Sequence, residues 1–266
     1  MIIIYLCFIL GIALLIYMRK EAVSNRILFQ ELQFNTFPKS FGRVTIFFIS
    51  DIHRRIISEK MINEVIGQAD LVIIGGDLTE KGVPFERVVA NINNLKKIGP
   101  VYFVWGNNDY EVDSHLLDAT LLDLGVKILD NTAVSFESKD GDHFQLVGID
   151  DLAKERDRLD LAIQDIRKEG FRLLVSHNPE ITKKLLPVHK IDLILSGHTH
   201  GGQIRIFGFG PYEIGGIKKL KHSTILTSNG YGTTSLPLRL EAKSETHLIT
   251  LKHGVDMVSE YKVKSQ

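Results

Sequence analysis

Ile49-Ser-Asp-Ile-His53 is the first of five segments in which an apolar run ends on small or metal-binding residues. The others are Ile73–Asp77 (IIGGD), Val104–Asp109 (VWGNND), Leu173–His177 (LLVSH) and Leu193–His200 (LILSGHTH). Short unbroken runs of Ile, Leu and Val suit strands covered on both faces, the pattern of a parallel sheet packed by helices. Asp51, His53, Asp77, Asn107, His177, His198 and His200 then all fall at strand ends. A folded sheet brings such ends together however far apart they lie in the chain.

Singly, each motif has a plainer use: DxH and GGD as turns or caps, HxH as surface or core histidines. Five of them in order, each after a strand-like run, define a common metal site. Imidazole suits manganese, iron and zinc, whereas magnesium and calcium favour all-oxygen shells. The expected cofactor is therefore two divalent or mixed-valence metal ions, Mn first, with Fe or Zn as the alternatives. Ions roughly 3.5–4 Å apart can clamp a phosphoryl group during in-line displacement, so phosphoester hydrolysis is the expected chemistry. No serine-centred nucleophile elbow is present, which weakens an esterase of the acyl-enzyme type.

This series of blocks resembles the calcineurin-like metallophosphoesterases, with their DxH, GD, GNH followed by Asp or Glu, isolated His and GHxH. The continuation HGGQI with FGFGP, from His200 to Pro211, resembles the membrane-associated bacterial branch related to UDP-2,3-diacylglucosamine pyrophosphatases and cell-envelope phosphoesterases. Likeness of pattern runs over residues 44–251. The resemblance implies an α/β fold, a four-layer αββα sandwich of two mixed sheets between helices. It also implies that Asp51, His53 and His200 hold one metal, that Asn107, His177 and His198 complete the second, and that Asp77 bridges. The implied reaction is attack on phosphorus by a dimetal-activated hydroxide.

One position departs from the family. Where the family has a His after the ligand Asn, this chain has Asn108. An amide can donate to a phosphate oxygen but carries no proton to transfer at neutral pH. The expectation is an enzyme that favours good leaving groups, with Asp109 orienting Asn108; the alternative is a catalytically weak protein that binds a phosphorylated ligand. His115, nearby in sequence, is the other candidate acid, set against an ordinary place on a helix surface. Gln203, Arg205 and Arg239 are candidate substrate contacts, each weighed against a structural role.

The chain has 266 residues with 32 basic and 32 acidic side chains, so bulk charge gives no nucleic-acid-binding surface. Met1–Met18 is almost uninterrupted apolar sequence, followed by Arg19 and Lys20. It lacks a basic leader and a small-residue cleavage pattern, so residues 1–21 are expected to be a retained transmembrane anchor of a single-pass cell-membrane protein. Arg19, Lys20 and Arg26 follow the span, which by the positive-inside rule predicts a cytoplasmic domain. Cys7 lies within the span, and no disulfide framework exists. Residues 22–43 are expected to form a connector with a possible edge strand, and 44–266 the metallophosphoesterase domain. The expected partners are the membrane, through the N-terminal segment, and a phosphorylated small molecule or lipid. Asp150 and Asp151 are expected to cap a long helix over LAKERDRLDLAIQDIRKEG, and the glycine-rich stretch after His200 to form a hairpin or lip beside the metals.

Overall fold

The computed structural model describes residues 1–166 and 168–265. In chain order its elements are α1 (Ile2–Val23), β1 (Arg26–Phe34), β2 (Arg43–Ile49), α2 (Glu59–Val65), β3 (Leu71–Gly75), α3 (Phe85–Lys96) and β4 (Val101–Val104). Then come α4 (Ser114–Asp123), β5 (Lys127–Ile128), β6 (Thr132–Glu137), β7 (His143–Gly148), α5 (Leu159–Gln164) and β8 (Phe171–Val175). The chain closes with β9 (Leu193–Ser196), β10 (Gly216–Lys219), β11 (Thr224–Thr227), β12 (Thr246–His253) and β13 (Met257–Ser265). Two sheets result, in the orders β13-β1-β12-β2-β3-β4-β5 and β10-β11-β9-β8-β7-β6.

The unbroken apolar runs are explained by burial on both faces. Along β2, Val44, Ile46 and Phe48 point between the sheets, while Phe47 and Ile49 point to the helical layer. β8 does the same, with Phe171, Leu173 and Val175 facing the first sheet and Leu174 facing outward against α5 and Ile181. The order of layers is therefore helices, sheet, sheet, helices, as the resemblance implied. Phe34, Phe37 and Phe171 meet between the sheets with ring centroids 5.0 and 5.2 Å apart. Deleting one such ring costs about 3–5 kcal/mol. Trp105 lies in the helical-side core, stacked on Tyr110.

Local signals account for most of the helices. Ser58 caps α2 by accepting from Met61 N, and Asp113 caps α4 by accepting from Leu116 N. Of the long helix expected after Asp151, the described residues form only the six of α5, and residue 167 lies outside them. Asp151 closes a turn by accepting from Lys154 N, and Asp150 is taken by Tyr110 Oη and Arg156 Nε at 2.6 Å each, so the charged stretch is bent into tertiary contacts.

The possible edge strand within residues 22–43 forms, but not at an edge. α1 runs on to Val23, and β1 lies between β12 and β13, so it is an internal strand and part of the domain. Its polar residues resemble an edge because Gln30 is polar yet fully buried, where its side chain meets His247 Nδ1 at 3.0 Å. α1 itself is long and apolar enough to cross a membrane, with a mean hydropathy of 2.4, which is consistent with an anchor. Its first helical side chains are all exposed, and the domain first covers it at Met18.

Candidate metal centre

Parallel register sets the ligands at one rim. Ile49 pairs with Ile74 and Gly75 with Val104 in the first sheet, and Val175 pairs with Leu195 in the second, so the chain leaves β2, β3, β4, β8 and β9 side by side. The residues just beyond adopt an uncommon backbone: φ is 54° at Asp51, 51° at His53, 51° at Asp77, 71° at His198 and 51° at His200. The left-handed region costs a side-chain-bearing residue roughly 1–2 kcal/mol, so these turns exist because their surroundings impose them. Asp51 N donates to Gly76 O at 3.0 Å and Ile52 N to Asp77 O at 2.8 Å. At Gly197 and Gly106 the neighbouring carboxylates of Asp51 and Asp77 occupy the space a Cβ would need.

Two groups of side chains converge: Asp51, His53 and His200, and Asp51, Asp77 and His177, all buried. Asp51 is common to both groups; Asp77 Oδ2 lies 3.2 Å from His177 Nε2 within its own group and 3.8 Å from His53 Nε2 of the other, while Asp77 Oδ1 accepts from Asn108 N at 2.8 Å. Asp51 Oδ1 lies 3.3 Å from His200 Nε2 and accepts from His198 N at 3.1 Å. His198 Nδ1 approaches His177 Nε2 to 3.2 Å, on the more open side of the cluster.

The donor set fits two cations. His53 Nε2 and His200 Nε2 face each other at 3.1 Å, two nitrogen lone-pair positions with carboxylates beside them. Asn107 Nδ2 donates to Asn108 Oδ1 at 2.9 Å, which leaves Asn107 Oδ1 buried without a hydrogen-bond partner. A buried amide oxygen without a donor is costly, and a cation satisfies it. The seven residues singled out in the sequence thus share one rim, four after strands of the first sheet and three after strands of the second.

Electrostatics in the metal-free cluster match this arrangement. Burial disfavours the imidazolium of His177, but Asp77 and Asp51 outweigh it and push the group up to about 10. At His200 burial, with the charges of His53 and Arg239, drives the ring well below the ordinary histidine value. Burial and then the Asp77 charge raise Asp109 to about 7.

Asp109 does not orient Asn108. Its carboxylate is fully buried and accepts from the backbone N–H groups of Asp77 (2.8 Å), Thr79 (3.0 Å) and Gly106 (2.9 Å), which locks the GGD and GNND turns together. Asn108 is held instead by Glu111, whose Oε1 accepts from Nδ2 at 2.9 Å. His115 is exposed in the first turn of α4.

The three candidate substrate contacts carry backbone rather than open donors. Arg239 is 0% exposed, its guanidinium donating to carbonyls of Asn229, Gly232 and Ala242 and lying 3.1 Å from His200 Nδ1. Arg205 donates to the carbonyls of Gly201, Gly208 and Tyr212. Gln203 borders the cleft, but its amide is tied to Thr234 and Leu236. Guanidinium groups in a segment without regular pairing satisfy the carbonyls that no ladder takes up.

Glu80 escaped the sequence reading. It is buried, with Oε2 3.0 Å from His53 Nδ1 and Oε1 paired with Arg54. A carboxylate behind a ligand histidine fixes the ring and its tautomer. The signal was its position in the GGDLTE loop, three residues after Asp77.

Beyond the cluster, a cleft of about 290 Å³ is lined by Asp77, Asn107, Asn108, His198, His200 and Tyr212, among others. His198, Thr199 and Tyr212 also line a second cavity of about 550 Å³. Metal ions held by these residues would supply Lewis acidity beside the cleft, an arrangement consistent with metal-activated phosphoester hydrolysis.

Residues 44–202 match the family model described as calcineurin-like phosphoesterase, and the chain belongs to that family. It is 48% identical over 226 residues to an uncharacterized protein of Bacillus subtilis (strain 168), YpbG, covering 83% of this chain and 87% of that one. It is 30% identical over 251 residues to a transmembrane protein with metallophosphoesterase domain from Danio rerio, covering 84% of this chain but 56% of that longer one. It is also 29% identical over 250 residues to the phosphodiesterase YaeI of Escherichia coli (strain K12), covering 87% and 88%.

Proposed function

We propose that this protein is a membrane-anchored, manganese-dependent phosphodiesterase or pyrophosphatase whose substrate is a phosphorylated amphiphile. The observation that carries the hydrolytic part is the convergence of two buried ligand groups that share Asp51, with Asp77 Oδ2 in reach of both His177 and His53. Bound divalent ions supply Lewis acidity toward the phosphoryl oxygens and a water of lowered pKa. Asp51, His53 and His200 would hold one ion and Asn107, His177 and His198 the other, with Asp77 within reach of both His53 and His177. Asp109 and Glu80 keep these ligands in place from behind.

Asn108 donates to a non-bridging oxygen of the substrate and gives no proton to the leaving group, which selects esters and anhydrides whose leaving groups depart as anions. A pyrophosphate bond or an activated diester meets that condition. The cleft of about 290 Å³ has room for a leaving group beside the metal rim, and a second cavity shares His198, Thr199 and Tyr212 with it. The amphiphile is supported by the apolar α1 and by relatives whose names include a transmembrane protein, and a UDP-2,3-diacylglucosamine-like lipid pyrophosphate is the finer proposal. Arg19 and Lys20 at the end of α1 support a cytoplasmic domain.

The test strips the full-length protein of metal, restores Mn, Fe or Zn separately, and follows hydrolysis of a bis-aryl phosphodiester. Turnover that depends on added metal, highest with Mn, is expected. Full occupancy by every metal with no turnover would instead favour a protein that binds a phosphorylated ligand without cleaving it.

A further inference from the structure

Past Arg205 the chain makes a two-residue hairpin. Ile206 N donates to Phe209 O at 2.9 Å and Phe209 N to Ile206 O at 3.0 Å, with φ of 53° at Phe207 and 80° at Gly208 between them. Both central residues are left-handed, as a type I′ turn requires; Asn or Gly is the usual first residue, and here it is a phenylalanine. The tip is braced: Glu241 accepts from Phe207 N at 3.1 Å and Gly208 N at 2.7 Å, and Arg205 donates to Gly208 O. Phe207 is nevertheless 89% exposed and Phe209 81%. Neither ring packs on the domain, so nothing inside the fold explains a strained, clamped turn that holds two aromatics outward.

The neighbourhood of that turn indicates what it meets. Residues 1–17 of α1 are exposed, and at 1.5 Å per residue they span about 25 Å, close to the thickness of a bilayer's hydrocarbon core. Domain contact begins at Met18, whose carbonyl accepts from Arg239 N at 3.0 Å. The next residue, Leu240, is hydrogen-bonded through its own N and O to Gln203 O and Arg205 N, both at 3.0 Å, and these form the base of the aromatic hairpin. The guanidinium of the same Arg239 reaches His200. Two consecutive residues, Arg239 and Leu240, thus connect the end of the exposed part of α1, the hairpin and His200. Leu236, three residues earlier, adds a side chain that is 61% exposed.

We infer that Phe207 and Phe209, with Leu236, form a membrane-docking lip that seats the rim of the metal cleft in the headgroup layer of the bilayer that holds α1. Phe and Leu side chains bury at the boundary between headgroups and acyl chains, and a second contact beside a tethered helix restrains the domain's tilt. The tether makes lip insertion effectively intramolecular, so two rings suffice where a soluble protein would need more. Docked this way, the cleft receives phosphate groups of molecules resident in the membrane. The substrate half of this inference rests on the phosphoesterase reading; the docking half does not.

The experiment uses the full chain in nanodiscs of phosphatidylcholine with brominated or ordinary acyl chains. Trp105, the only tryptophan, is buried and serves as the internal control. Phe207→Trp and, as a second probe, Phe209→Trp should each lose about twofold or more of their added emission in brominated lipid, while wild-type emission is unchanged. In parallel, Phe207→Ser/Phe209→Ser is assayed on a short-chain soluble aryl phosphodiester and on its long-chain analogue embedded in the disc. The double variant should keep its rate on the soluble ester and lose about tenfold in kcat/KM on the embedded one. Unquenched tryptophan at both positions overturns the docking, and equal loss on both esters overturns presentation of a membrane substrate. A wild type inactive on the soluble ester would strike the phosphoesterase reading alone, since quenching still decides the docking.

Discussion

The metal cluster and the aromatic lip both depend on left-handed residues, but they are held in opposite ways. At the cluster, Asp51, His53, Asp77, His198 and His200 are fixed by carboxylates, glycine neighbours and backbone hydrogen bonds, and their donor atoms converge on one another. At the lip, Phe207 is clamped from below by Arg205 and Glu241, and its ring points away from every other part of the domain. Strain that turns inward marks where chemistry is done, whereas strain that turns outward marks where the molecule meets something else.

Substitutions should separate the two regions. Asp77→Ala removes the oxygen in reach of both His177 and His53 and is expected to lower phosphodiester hydrolysis by about 10³-fold on any substrate, soluble or membrane-bound. Metal content should fall in the same samples, while Asp140→Ala, exposed in the turn between β6 and β7, leaves both unchanged. Loss of rate on membrane substrate alone would mean that the cluster and lip are not independent.

Asn108→His is next in size. With Glu111 already placed to hold a ring at that position, rates on alkyl esters should rise by as much as about 10²-fold, and those on aryl esters little. A leaving-group series for wild type, N108H and H115A checks this; a flat dependence in wild type that only H115A disturbs would move the acid to His115.

Glu80→Gln should weaken Mn binding about tenfold, because His53 loses the carboxylate that sets its tautomer, while the lip still docks. Equilibrium dialysis at fixed pH gives the affinity, and an unchanged value would make Glu80 a partner of Arg54 only.

A smaller effect concerns protons. The folded value of about 10 for His177 is above the ordinary 6.5, so in the metal-free protein its pairing with Asp77 is fully present below about 6.5 and lost as pH rises through about 10. Metal binding needs the neutral ring, so near neutral pH loading should release about one proton from this site and tighten as pH rises toward 10. Calorimetry in buffers of different ionisation enthalpy counts that proton, and His177→Gln should abolish it.

Much of this was legible in the chain itself, because the fold needs strands buried on both faces and the site needs metal-binding residues directly after them. Runs such as LVIIGGD and LILSGHTH carry both signals at once, and the structure brings Asp51, His53, Asp77, His177 and His200 into two buried groups able to hold metal ions. Positions governed by three-dimensional partners were less legible. Arg239, Arg205 and Gln203 have the chemistry of phosphate contacts, yet each serves carbonyls left unpaired in an irregular segment, and no local pattern reveals that. β1 looked like an edge because Gln30 is polar, although its partner His247 lies on a strand more than two hundred residues away. The charged stretch after Asp151 had helical periodicity, but side chains reaching Tyr110 and back to the turn outcompeted it.

The central claim is that two cations sit on either side of Asp77, and anomalous diffraction at the manganese edge from Mn-loaded crystals tests it most directly. Two peaks are predicted, one touching Asp51, His53 and His200, the other Asn107, His177 and His198, with Asp77 against both. A single peak, or a pair from which Asp77 is excluded, would contradict the account.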